Sequence, residues 1–223
     1  MENLKLRTKS KAEVKKTPES PGVYLFFGRD KEVLYIGKAN NLKARLSSYF
    51  GQDLAPKTEK MISESTHFAI IEVVSELESL LLEAKLIREK MPRYNVELKD
   101  DKHPLYIQIT KEEFPRVLAV RKDKTKDKSQ AVFGPFPSST NVKLTLKMLR
   151  KIFPYAEHKP GKRACLYSQM GLCNPCPSVI ENSDDLALRS ELKKEYRKNL
   201  SRLSLVLSGG LGKVKKSLEK EMR

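Results

Sequence analysis

"VYLFFGRDKEVLYIGKANNLKARLSSYF", residues 23–50, decides how the rest of the chain is read. Two β-rich runs, GVYLFF at 22–27 and VLYIG at 33–37, flank GRDKE, whose Gly28 and Asp30 are turn formers, so the stretch reads as a β-hairpin. The following NLKARLSSYF places Leu42, Leu46 and Tyr49 at i, i+4 and i+7, one apolar stripe of a helix beginning near Asn40. Tyr24 and Tyr35 lie within the two strands, Lys38 follows the second, and Arg45 and Tyr49 are one helical turn apart. These polar tips can all point toward one end of the hairpin.

Outward from the hairpin, HFAIIEVV at 67–74 is a third strand and residues 76–90 a helical pattern. The order β-β-α-β-α implies an α+β fold, a small antiparallel sheet flanked by helices. After MPRYNVELKDDKHP, whose prolines and charges break the helix, LYIQI at 105–109 and RVLAV at 116–120 read as two more strands, and RKDKTKDKSQ at 121–130 as a solvated charged loop. VFGPFPSS reads as a Gly/Pro turn and TNVKLTLKMLRKIF as an amphipathic helix with Thr140 as its N-cap. A cysteine segment follows, and from Asp184 helices dominate, broken by SGGLG at 208–212. The expected divisions are a basic flexible lead-in at 1–17, a domain at 18–100, a middle region with the cysteine segment at 101–178, and a helical C-terminal region at 179–223.

A hydrophobic fraction of 39% over 223 residues can supply a core. The balance of 44 Lys+Arg against 28 Asp+Glu, a net charge of +16, implies a polyanionic partner. Composition alone does not choose among DNA, RNA and an anionic membrane, but no apolar run approaches the roughly 20 residues of a spanning helix, which argues against a membrane. The opening KLRTKSKAEVKK is not followed by the apolar segment of a secretory signal, so a cytoplasmic location is expected. Three cysteines packed between Cys165 and Cys176 are an odd number for a disulfide framework in a reducing compartment, and point to a metal or cluster site.

Singly, the hairpin tyrosines are ordinary strand residues and the cations ordinary phosphate contacts. Glu83 is different, because Leu80, Leu86 and Ile87 surround it on its helix. Unless that edge faces solvent, its carboxylate calls for a metal, an arginine or a proton. Phosphodiester hydrolysis needs a base to activate water, a cation for the phosphate and help for the leaving oxygen. A tyrosine, with its ordinary pKa near ~10, would serve as base only if lowered by cations or metal, which Lys38 and Arg45 are placed to supply. Arg45 could also hold the scissile phosphate. One well-placed Glu favours a single divalent cation, Mg²⁺ or Mn²⁺.

GVY at 22–24, YIG at 35–37, Arg45, Glu83 and Asn95 in "YN" resemble the GIY-YIG nuclease motif. With PGVYLFF, YIGKANNLKARLSSYF, LEAKLIREKMPRYNVELKDDKHPLY and FGPFPSS, the chain from about 18 to 178, and more loosely to its end, is similar to the N-terminal part of UvrC, the nuclease subunit of bacterial nucleotide excision repair. The resemblance implies a metal-dependent cut of damaged DNA on the 3′ side of a lesion, after UvrA and UvrB have marked it. It implies Glu83 as metal ligand, and Tyr24, Tyr35, Lys38, Arg45 and Tyr49 as the catalytic surface, with Asn95 in support. Either Tyr24 or Tyr35 would activate water.

UvrC itself continues into a UvrB-binding segment, an RNase H-type nuclease and helix-hairpin-helix modules, whereas this sequence ends at Arg223. One incision is therefore expected of it, whether it is a piece of a longer protein or a short Cho-like one. Where UvrC-like proteins carry four cysteines suited to an iron–sulfur cluster, HKPGKRACLYSQMGLCNPC has Cys165, Cys173 and Cys176, with His158 near the place of a fourth ligand. The C-x-x-C pair suits Zn²⁺ or a cluster, the alternative being free buried thiols and a surface histidine. Two other functions compete: a non-catalytic DNA-binding or scaffolding module, and a GIY-YIG nuclease of recombination or mobile elements.

Overall fold

The computed structural model describes residues 5–51, 53–97, 105–121, 129–136 and 139–221, and the chain divides into two compact units, Met1–Lys102 and His103–Arg223. The architecture is α+β, as the order of apolar runs implies. Residues 5–17 depart from the flexible lead-in expected of them. They hold a strand, β1 (Arg7–Thr8), and a helix, α1 (Lys11–Lys15), whose N-cap Ser10 accepts the Glu13 N–H. Val14 is the reason, since its side chain is buried in the core.

The hairpin forms as read, from β2 (Gly22–Phe27) and β3 (Val33–Ala39), paired antiparallel with Tyr24 opposite Gly37. In its turn the left-handed position falls on Lys31, with φ 60°, rather than on Gly28 or Asp30. All six residues of β2 are buried, because the sheet is covered on both faces, and this is why GVYLFF is a continuous apolar run rather than an alternating one. On one face Tyr24 and Phe26 pack with Leu42, Leu46 and Tyr49; on the other Val23, Leu25 and Ile36 pack with Leu86 and Ile87.

The first helix after the hairpin, α2 (Leu42–Ser48), starts slightly later than Asn40, with Asn41 as N-cap accepting the Ala44 N–H at 2.8 Å. A helix that the apolar periodicity does not announce, α3 (Pro56–Glu64), follows, and then β4 (His67–Glu72), which pairs with both β1 and β2. The strand order β1-β4-β2-β3 leaves β3 at an edge. Against it lie α4 (Glu76–Lys90), capped by Ser75, and the short α5 (Arg93–Glu97).

In the second unit β5 (Leu105–Thr110), β6 (Val117–Arg121) and β7 (Ser129–Phe136) form an antiparallel sheet in the order β6-β5-β7. The expected turn at VFGPFPSS is thus corrected: 129–136 is a strand. Gly134 at φ 131° and a shift of register opposite it accommodate Pro135 on this edge, where a missing N–H is tolerated. The charged loop expected at 121–130 lies for the most part outside the described residues. Thr140 sits inside α6 (Ser139–Ile152) rather than capping it. The cysteine segment carries α7 (Leu166–Gln169) and α8 (Pro177–Glu181), followed by α9 (Leu186–Leu207) and α10 (Leu211–Glu221). Among the described residues no helix is long and apolar enough to cross a membrane.

Candidate active site and metal centre

The hairpin register brings the tyrosines together. Tyr24 points across Gly37, where an added Cβ would stand 2.4 Å from the Tyr24 Oη, so the glycine of YIG is required by the phenol passing over it. That Oη lies 2.7 Å from the Tyr49 Oη and accepts a hydrogen bond from Arg45 Nε at 3.1 Å. Arg45 also stands over the Tyr49 ring, 5.1 Å from its centroid, and the Tyr35 ring is 6.1 Å from that of Tyr24. Tyr24 is only 1% exposed, whereas Tyr35 is partly exposed.

Electrostatics at these phenols differ from the expectation that Lys38 and Arg45 lower them. Burial pushes Tyr24 well above its ordinary value, Tyr35 and Tyr49 push the same way, and Arg45 opposes without prevailing. Tyr35 is likewise raised, by burial first and then by Tyr49 and the charge of Glu83. The ammonium of Lys38 is directed to Glu76 Oε1, 3.1 Å away. Both phenols are therefore held protonated.

A second group lines the open edge of β3. Ile36 donates its N–H to Asn95 Oδ1 and accepts from Asn95 Nδ2, each at 2.8 Å, so one side-chain amide does what a neighbouring strand would do. One step along, the Lys38 N–H donates to Glu83 Oε1 at 2.9 Å. Glu83 is 5% exposed, which resolves the open question of its helix face, and a charge-assisted bond from a main-chain N–H holds its carboxylate in one orientation. The field of Glu83 at Tyr35 links this group to the tyrosines. Gly37 and Glu76 were missed as site residues. The first was visible inside YIG, and the second is a helix N-terminal carboxylate with no local signal.

In the second unit His158, Cys165, Cys173 and Cys176 come together, with all four ligand atoms within 4.8 Å of one another. His158 Nε2 is 3.7 Å from Cys173 Sγ and 3.8 Å from Cys176 Sγ, and the Cys176 and Cys165 sulfurs are 3.9 Å apart. His158 Nδ1 lies 2.7 Å from the Lys159 carbonyl. A carbonyl only accepts, so the proton sits on Nδ1 and Nε2 offers its lone pair to the sulfurs. Burial works to raise the Cys176 thiol, but backbone N–H groups of Cys165, Ser178 and Val179 bring it down to about 7. Cys173 is raised by burial and by its neighbouring thiols. This is a group able to hold a metal ion, not a set of scattered thiols beside a surface histidine.

The paired tyrosines on this sheet, with the arginine and the glutamate of the helices packed against it, define a GIY-YIG endonuclease, and residues 20–96 match the family model described as the UvrC-like GIY-YIG domain. Residues 104–184 match the UvrC/Cho excinuclease middle domain, and with both matches the chain belongs to the UvrC-like GIY-YIG proteins. It is a metal-dependent endonuclease that hydrolyses phosphodiester bonds, with DNA the substrate its family implies. Among solved structures it is similar to the GIY-YIG N-terminal endonuclease domain of UvrC from Thermotoga maritima bound to magnesium, at 36% identity over 38% of this chain and 92% of that one, with a TM-score of 0.36. An asparagine-to-alanine mutant of the same domain, bound to its catalytic divalent cation, matches at 36% identity over 38% and 91%, also with a TM-score of 0.36. A tyrosine-to-phenylalanine mutant matches at 34% over 38% and 91%, again with a TM-score of 0.36.

Proposed function

We propose that this protein makes the incision on the 3′ side of a lesion in nucleotide excision repair, in the cytoplasm, once UvrA and UvrB have marked the damage. The observation that carries the reading is the buried Glu83 carboxylate, oriented on the edge of β3 beside a closed set of tyrosines and Arg45. A hard oxygen donor of this kind fits Mg²⁺ or Mn²⁺, which keep several waters and use one or two carboxylates. Glu83 would hold this cation, which when bound would neutralise charge developing on the phosphate and the leaving oxygen.

The chain's own residues supply the rest. Arg45, partly open to solvent and fixed on Tyr24, holds the scissile phosphate. Tyr24 is committed to Arg45 and Tyr49 and is closed off from water, so Tyr35, partly exposed and next to the field of Glu83, is the better group to take the proton from water. Its raised affinity for its own proton means that this proton must first leave to solvent, which a bound cation would favour by offsetting the negative charge of Glu83. Asn95 and Glu76 position the strand and Lys38.

At the cysteine group the donor set supports one tetrahedral ion, Zn²⁺, over an iron–sulfur cluster. Corners of a tetrahedron with arms of about 2.3 Å stand about 3.8 Å apart; three of the pairs here stand at 3.7, 3.8 and 3.9 Å, and all four ligand atoms lie within 4.8 Å of one another. A cluster of several irons would sit between its ligands and hold them farther apart.

The test is to map the cut on a lesion-bearing duplex with Mg²⁺ or Mn²⁺, with and without UvrA and UvrB. One cut 3′ to the lesion, dependent on both partners, is expected. Efficient cutting of undamaged branched DNA without them would move the activity to recombination.

A further inference from the structure

Tyr155, Arg150 and Tyr167 form a stack that ends at the surface. Tyr155 is 1% exposed, its hydroxyl donating to the Leu146 carbonyl at 3.1 Å. The Arg150 guanidinium carbon stands over both rings, 4.3 Å from the Tyr155 centroid and 4.5 Å from that of Tyr167, so one cation links the two. Its charge is met by Glu157, whose Oε1 is 2.7 Å from Nη2. Tyr167, at the outer end, is 44% exposed. Its carbonyl accepts from the N–H groups of Leu172 and Cys173 at 2.8 and 3.2 Å, which ties the base of the ring to the cysteine group. An aromatic ring held in this way has already given up its rotamer freedom, so a partner that stacks on it orders little more.

What surrounds Tyr167 indicates the partner. Leu166, on the same short helix, and Met170, its C-cap, are 71% and 60% exposed. Between Lys159 and Ile180 the sequence has three cations, Lys159, Lys162 and Arg163, and no carboxylate. All three cations are exposed. The loop that carries them is fastened at Gly161, which donates to Ser178 Oγ at 3.0 Å and accepts from Asn182 Nδ2 at 2.8 Å. An apolar patch alone would suit a protein partner as well. Lys159 also faces the Glu112 carboxylate, whose pKa it helps to lower, while a presented aromatic ring in a segment with exposed cations and no carboxylate of its own is the pattern of a surface that stacks bases and grips a phosphate backbone.

We propose that Tyr167 is a stacking platform for an unpaired base: the base continues the Tyr155–Arg150–Tyr167 stack while Lys159, Lys162 and Arg163 hold the flanking phosphates. In intact duplex every base is already stacked on its neighbours, so this surface favours single-stranded DNA, bulges and lesion sites where stacking is broken. The assignment rests on reading the chain as a protein that acts on DNA.

The experiment uses the full chain without added divalent cation and a duplex carrying 2-aminopurine at a single-base bulge, with the fully paired duplex as comparison. Binding is followed by fluorescence anisotropy, and stacking by quenching of the 2-aminopurine. Tyr167→Ala is expected to abolish the quenching and weaken bulge binding roughly tenfold, the scale of base–aromatic stacking, with paired duplex changed less than about twofold. Tyr167→Leu keeps the packing on Arg150 without the stacking face, so it must behave as Tyr167→Ala does and carries the test if the alanine variant fails to fold. Tyr167→Trp retains binding. Lys162→Ala with Arg163→Ala weakens both DNAs and lowers the log–log salt slope by about 2. Wild-type quenching and bulge affinity preserved in Tyr167→Leu, or an equal loss on both DNAs, would overturn the proposal. DNA cutting is no part of the readout, so the endonuclease reading stands or falls separately.

Discussion

Replacing Gly37 with alanine should damage catalysis and stability together. The added Cβ would stand 2.4 Å from Tyr24 Oη, 2.5 Å from Tyr24 Cζ and 3.0 Å from Tyr35 Cε1. Carbon atoms rest at about 3.5–4.0 Å, so the phenol must retreat by about 1 Å. It has little room, being bonded to Tyr49 and Arg45 and packed edge-on against Phe26 with ring centroids 5.9 Å apart. Overpacking costs about 1–3 kcal/mol, and each hydrogen bond stretched beyond use about 1 kcal/mol more. The stiffer unfolded chain of alanine returns at most about 1 kcal/mol. The net of about 2–4 kcal/mol corresponds to a fall in melting temperature of roughly 10–20 °C for a unit of this size. A shift of about 1 Å in a catalytic group costs on the order of 10²-fold in rate. Urea unfolding gives the first quantity, and initial nicking rates, taken where the variant is fully folded, give the second. Gly51→Ala is the control, since its Cβ meets only the Ser48 carbonyl, at 3.4 Å. If Gly37→Ala cuts within threefold of wild type and unfolds at the same urea concentration, the close approach of Tyr24 is wrong.

Further outcomes follow from the same geometry. Asn95→Ala leaves the Ile36 N–H and carbonyl without their partner, so urea titration should show a loss of about 1–3 kcal/mol. Tyr24, Tyr35, Tyr155 and Tyr196 are all raised, burial being the leading cause. The folded state therefore favours their neutral form: the stabilisation is full below the unfolded value near ~10 and is lost as pH rises beyond it. Phenolate absorbance should show these four titrating only as the chain unfolds, and a normal titration of all eight tyrosines in folded protein would refute this. Purified protein should contain about one zinc per chain and no iron. Its removal by a strong chelator should lower the melting temperature of the second unit and free the three thiols to a thiol reagent.

Legibility of the fold followed the range of the interactions that decide it. The hairpin and α4 are local, and their turn residues, periodicity and Ser75 cap are written in adjacent positions. β1 is two residues long and exists because β4 pairs with it some sixty residues away, a partnership with no local trace. β7 was obscured by Gly134 and Pro135, which signal a turn in isolation and are tolerated on a sheet edge. The site divided in the same way. Tyr24, Tyr35, Arg45, Glu83 and Asn95 stand out through the motif, but the partners that hold Glu83 and Asn95 are main-chain groups of Lys38 and Ile36, which no side-chain pattern encodes. Asn95 was named, yet its short helix α5 has too few residues to show a period. The raised phenols could not be foreseen, because the nearby cations were visible in the sequence while the depth of burial was not.

The most direct test of the central claim compares wild type with Glu83→Gln for metal-dependent nicking. The variant keeps a side-chain oxygen that can accept the Lys38 N–H, so fold and DNA affinity should be nearly unchanged. Nicking with Mg²⁺ or Mn²⁺ should fall below detection. Equal cutting by the variant at the same metal concentration would contradict the assignment of Glu83 as the ligand on which the activity depends.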